Sequence, residues 1–206
     1  MASTEQQSAI ATFWRWFEKN QSQLNSLADT SEPLWDKALE KLKAIAQELW
    51  FELSSSEITP REFVITAEGR VELFPLVEEI VQSAPETHGW RFVSLKPPMG
   101  FDFEITYEGI QIDPRTLWFL PLENPDNRAA LGLRIGVPSY DPANERPINN
   151  AVLVILDTAL GERAAATEVQ CVEIVCSPEA PDKEGYVPLP QLPDYVEGRK
   201  QKLRKS

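Results

Sequence analysis

Apolar and polar positions along this chain change period several times, and each change marks an element. Ile10, Phe13, Trp14, Phe17 and Leu24 recur at helical spacing, with Arg15, Glu18 and Lys19 on the other side. This predicts a helix over 8–27. Asp29, Thr30 and Ser31 supply a turn and an N-cap, and Pro33 suits the first turn of a second helix. There Trp35, Ala38, Leu42, Ile45 and Leu49 again share a face. The two helices are expected to form a hairpin against a sheet.

The period then drops to two. Leu49, Phe51 and Leu53 alternate with Trp50 and Glu52, and 62–66 is rich in β-formers, which predicts an antiparallel hairpin across the loop 54–60. A third helix is expected over 73–84, with Pro75 in its first turn and Pro85 at its end. Residues 90–95 read as a strand stopped by Pro97 and Pro98. Phe101, Phe103 and Ile105 alternate with Asp102, Glu104 and Thr106, as in a half-buried antiparallel strand. Turns at Tyr107-Glu108-Gly109 and Asp113-Pro114-Arg115 bracket an extended piece over 110–112. Segments 116–122 and 129–137 are expected to pair across the loop 123–128.

Asn149 or Asn150 is the expected cap of a fourth helix through Leu160, with Gly161 as its stop. The run 151–156 is apolar on all sides and also fits a buried strand; length and caps favour the helix. A last strand is expected over 169–175. Beyond it, Pro178, Pro181, Pro188, Pro190 and Pro193 interrupt a stretch without periodicity. The expected organisation is a single domain over 1–176 and a proline-rich, basic C-terminal tail over 177–206, extended and at least partly disordered, in which 186–189 and 195–196 are apolar enough to dock on the body or on a partner. Strands and helices mix without regular βαβ alternation. The predicted class is α+β: a largely antiparallel sheet packed against the N-terminal helical hairpin and two further helices.

Composition narrows the chemistry. The chain has 206 residues with one histidine, His88, and two cysteines, Cys171 and Cys176. It carries no glycine-rich phosphate loop. The usual nucleophile and metal sites draw on those residue types, so no catalytic residue, metal site or cofactor is assigned. Cys171 and Cys176 lie five apart in one expected strand, on opposite faces, and are read as small buried hydrophobes. No apolar run approaches a membrane span, and residues 1–8 lack the parts of a signal peptide, so a cytoplasmic location is expected.

The net charge of −12 is unevenly spread. The last eight residues hold five basic side chains and no acid, leaving 15 basic and 32 acidic residues, a net −17, on the rest. Such a body repels nucleic acid and anionic membranes and attracts basic partners. Acidity that only keeps the protein soluble is the plainer account. Six tryptophans are many for this length. Trp16 lies off the apolar stripe of its helix and Trp50 opposes the Phe51 face of its strand, as contact anchors do. Covered element faces account for both equally well. Trp90 shares a strand face with Lys96, and Arg91 sits among apolar neighbours, where it can hold a carboxylate of the protein or of a partner. Asp102 and Glu104 share a face, either as a carboxylate pair or as the wet side of an amphipathic strand, the latter being favoured.

Several segments together resemble an uncharacterised family of bacterial cytoplasmic proteins. They are Phe13-Trp14-Arg15-Trp16-Phe17 with Asn20, the run 62–69, Phe74-Pro75 through Ala84-Pro85, Gly89-Trp90-Arg91-Phe92 with Lys96-Pro97-Pro98, and the run 156–162. The resemblance implies a compact bacterial domain and brings no established activity. By analogy, small acidic α+β proteins of this look include immunity partners of toxins.

These observations point to a non-enzymatic protein that binds another macromolecule, a basic toxin or nuclease being one concrete partner. Trp16, Trp50, Trp90, Arg91, Asp102 and Glu104 are the candidate binding residues. The rival is a small-molecule binder or unusual enzyme with a carboxylate- and arginine-lined pocket. A homo-oligomer is a further expectation to test.

Overall fold

The computed structural model describes residues 2–27, 31–124, 127–138 and 140–204. The expected turn at Asp29 and Thr30, and the tail residue Lys205, lie outside them. The class is α+β. The chain divides into two compact units, 1–96 and 97–206.

In the first unit, α1 (Thr4–Ser26) opens with a capping box, in which Ser3 and Gln6 satisfy each other's backbone N–H groups. It buries Ile10, Phe13, Trp14, Phe17 and Leu24, the stripe read from the sequence. The second helix, α2 (Pro33–Lys43), starts on Pro33 and buries Trp35, Ala38 and Leu42. It ends earlier than its apolar pattern suggests. Ile45 and Leu49 stay buried, but on successive turns rather than on the helix. Strands β1 (Trp50–Leu53) and β2 (Arg61–Thr66) pair antiparallel, Trp50 opposite Thr66 and Leu53 opposite Phe63. After α3 (Phe74–Gln82), strand β3 (Trp90–Ser94) returns parallel to β2. The sheet order β1-β2-β3 leaves β1 on an edge. Phe17, Phe51, Phe63, Trp35 and Trp90 interlock beneath the sheet. Phe51 stacks on Phe63 at 4.8 Å, and Phe17 meets Trp90 edge-on at 5.1 Å.

In the second unit, β4 (Ile105–Tyr107) and β5 (Ile110–Ile112) form a short ribbon. The expected strand from Phe101 is therefore shorter. Phe101 is buried and Asp102 and Glu104 exposed, so the alternation holds, but no neighbouring strand ladders with 101–104. Strands β6 (Trp118–Asn124) and β7 (Asn127–Val137) pair antiparallel as expected. Helix α4 (Glu145–Leu160) starts a turn earlier than read and lays Ile148, Ala151, Val152, Ile155 and Ala159 into one core with Leu131, Leu133 and Ile135 of β7. Gly161, at φ 77°, ends α4 and opens α5 (Glu162–Glu168), a helix the sequence reading lacked.

Strand β8 (Cys171–Cys176) runs parallel to β7, giving the sheet order β8-β7-β6-β9. The cysteines correct an expectation: both are exposed, because β8 is an edge strand with only one neighbour. The extended tail is also corrected. Strand β9 (Val187–Pro188) pairs with β6, and α6 (Leu192–Arg204) follows. Leu189, Leu192 and Val196 enter the core of the second unit, and Tyr195 meets Phe119 at 5.6 Å. Its five prolines interrupt the helical period in the sequence without preventing these anchors from docking.

Candidate functional site

The aromatic floor of the first unit continues to its surface at one place. The first turn of α2 brings Trp35 and Asp36 beside the edge strand β1. Between them lies a groove of about 300 Å³ lined by Trp35, Asp36, Leu39, Trp50, Phe51, Glu52 and Leu53. Four consecutive residues of one strand line it, so the groove follows the strand's free edge. Trp50 is 45% exposed there, and the Lys43 ammonium sits 4.0 Å from its ring centroid. Glu52 reaches Lys96 at 3.6 Å. The Trp35 Nε1–H is buried with no acceptor among the described residues, an exception to the rule that buried donors are paired.

Strand β1 also carries unmet backbone groups. Ser54 N–H donates to Glu62 O at 3.1 Å. Hydrogen-bonded and non-hydrogen-bonded pairs alternate along an antiparallel ladder. With Trp50 opposite Thr66, Trp50 and Glu52 turn their backbone groups to β2. Phe51 and Leu53 therefore turn theirs to the open edge.

The other candidates fall in different surroundings. Trp16 is half-buried on α1 with Lys41 5.9 Å from its ring. Trp90 is 7% exposed, and its Nε1–H donates to Gln21 O at 3.3 Å, an interior placement. Arg91 is ion-paired with Glu62 on the neighbouring strand, a carboxylate of the protein itself. Asp102 and Glu104, in the second unit, meet on Arg115, at 3.1 and 3.5 Å. Asp113 binds the same guanidinium at 2.8 Å. The hydrogen bond from Arg115 holds the Asp113 carboxyl below its ordinary pKa, and Asp113 in turn raises Arg115. This cluster is open to solvent and its one arginine is held by three acids.

Asp36, Glu52 and Arg115 were not among the candidates. Arg115 follows an Asp-Pro pair whose aspartate accepts from the Arg115 N–H, a turn that folds the side chain back. Asp36 and Glu52 carry no distinguishing local pattern; only the docking of α2 beside β1 joins them.

A second groove, about 280 Å³, lies in the other unit among Leu153, Leu156, Asp157, Ala165, Val169, Gln170, Cys171 and Val172. Asp157 is its one charged lining residue. Among the described residues no three His, Cys, Asp or Glu side chains are grouped to hold a metal ion, and no helix is long and apolar enough to cross a membrane. Comparison of the chain with protein families, curated proteins and solved structures finds no match.

Proposed function

We propose that the chain is a non-enzymatic binding protein for a basic protein partner, with neutralisation of a basic toxin or nuclease as the concrete case and the cytoplasm as its compartment. The groove beside β1 carries this reading. It offers an exposed tryptophan, two further aromatic walls and the carboxylates of Asp36 and Glu52. Aromatic side chains next to carboxylates suit the apolar stem and charged head of lysine or arginine. The acid excess extends to the whole first unit, which has nine Lys and Arg against fifteen Asp and Glu. Long-range attraction brings the partner in, and the aromatic surface supplies contact area.

The rival pocket of carboxylates and arginine receives less support. Asp102 and Glu104 spend their charge on Arg115 at the open surface, and Arg91 spends its own on Glu62. Calorimetric titration with a lysine-rich and a glutamate-rich peptide of equal length tests the proposal. The lysine-rich peptide binds, and more weakly as salt is raised. Equal or tighter binding of the glutamate-rich peptide sinks the reading.

A further inference from the structure

The binding reading leaves open how the partner's main chain is held. We infer that the groove accepts an extended segment of the partner as an added strand on the free edge of β1, with a lysine or arginine side chain seated in the groove that Trp50, Asp36 and Glu52 line. The inference rests on the proposed function and names the form of its ligand.

Three observations meet at this edge. Phe51 and Leu53 each present an outward N–H and C=O, and neither has another backbone partner among the described residues. An incoming strand satisfies such groups directly, which is how sheet edges recruit peptides. Side chains of an added strand alternate, as those of β1 do. One set then lies on the side of Trp50 and Glu52, and the other on the side of Phe51 and Leu53. Carboxylates flank the edge on both sides: Glu52 beside Trp50, and Asp36 on α2, whose Trp35 meets Phe51 at 5.6 Å; Asp36 has no ion pair among the described residues. A basic side chain arriving here competes with Lys43 for the Trp50 face.

The occupant is thus an extended basic peptide rather than a helix or a free amine. A helix offers no free backbone groups along its length to the β1 edge, and a free amine leaves Phe51 and Leu53 unmet. The β8 edge is less suited to this partner. Its Glu173 is engaged by Arg134 at 2.8 Å, and the groove beside it holds one carboxylate, Asp157, and no tryptophan, against two carboxylates and Trp50 beside β1.

Amide hydrogen exchange of the full-length chain, followed by NMR, tests the inference with a peptide of alternating lysine and valine. On binding, the Phe51 and Leu53 amides slow by roughly tenfold or more, while Trp50 and Glu52, already bonded to β2, change little. Asp36→Asn weakens the same peptide by about two- to fivefold, the range of an exposed ion pair. The peptide N-methylated throughout its centre keeps its charge and loses this protection. Binding with no protection at Phe51 and Leu53 overturns the added strand while the basic-partner reading stands. Absence of binding by any lysine-rich peptide overturns both.

Discussion

A single guanidinium closes the C-terminal end of α1. Arg61 is 2% exposed and donates to Leu24 O at 3.0 Å, Leu27 O at 2.7 Å and Ser54 O at 3.3 Å. Its flat faces lie 5.4 and 5.7 Å from the Trp35 and Trp90 rings. The carbonyls of a helix end are its natural counter-charge, since the helix dipole leaves them partly negative. Burial lowers the Arg61 pKa from its usual value. Arg61→Met is expected to cost about 3 kcal/mol, because the half-buried Leu27 and Ser54 carbonyls lose this donor and Leu24 O keeps only the Leu27 N–H at 3.3 Å. Arg61→Lys keeps the charge but not the fork, and is expected to cost roughly 2 kcal/mol. Urea unfolding followed by tryptophan fluorescence reads both, and an unchanged midpoint for Arg61→Met refutes the assignment. A second residue-scale test concerns pH. Asp113 is held below its ordinary pKa by the Arg115 hydrogen bond. A depressed carboxyl stabilises the fold above its unfolded-state pKa, and that share fades as pH falls through the folded-state pKa. Arg115→Gln is expected to raise the Asp113 titration, followed by carboxyl NMR, part of the way back, since the residue 115 backbone N–H still donates to it. No movement on that substitution means the hydrogen bond is not the cause.

At the scale of elements, β7 and β8 approach closely because β7 carries glycine. A Cβ on Gly132 lies 2.7 Å from Cys171 Sγ and 3.1 Å from Leu122 Cβ. Gly132→Ala is expected to destabilise the chain by about 1–2 kcal/mol. Cys171→Ala in the same chain restores part of the loss, the Leu122 contact retaining the rest. Full additivity of the two substitutions in a double-mutant cycle contradicts this packing. The tail supplies another contrast. Leu192 is fully buried, whereas Leu203, further along α6, is exposed. Leu192→Ala is expected to cost about 2–5 kcal/mol and Leu203→Ala less than about 0.5 kcal/mol. Equal thermal shifts for the two mean that α6 does not dock. These elements show what the sequence could and could not disclose. The α1 stripe, the β1–β2 hairpin and the β6–β7 pair were legible because each repeats a period over many residues. Helix α5 was not, because seven residues after a glycine carry no stripe. Nor was the helical form of α6, whose polar composition carries no stripe, although 195–196 read as apolar enough to dock and Val196 does. The cysteines misled because residue type predicts burial only on average, and an edge position overrides it.

For the whole molecule, the candidate site divides along the same line as the fold. Trp50 was legible as an off-face aromatic, but its groove depends on α2 lying beside β1, a tertiary fact. Asp102 and Glu104 were legible as a pair, but their arginine comes from eleven or more residues away in sequence. Each unit closes its own core: the aromatic cluster of Phe17, Trp35, Phe63 and Trp90 draws only on the first, and the α4 and β7 core only on the second. A segment that buries its own apolar surface folds without help, and about a hundred residues suffice for that. Residues 1–96 alone are therefore expected to unfold cooperatively and to bind a lysine-rich peptide as tightly as the full chain, within about twofold. Residues 97–206 alone are expected to fold without binding it, although their formal charge is similar, with eleven basic and seventeen acidic residues. That contrast separates a shaped site from bulk attraction. Net charge is nearly matched between the pieces, so equal binding by both assigns the affinity to charge alone and removes the groove from the account.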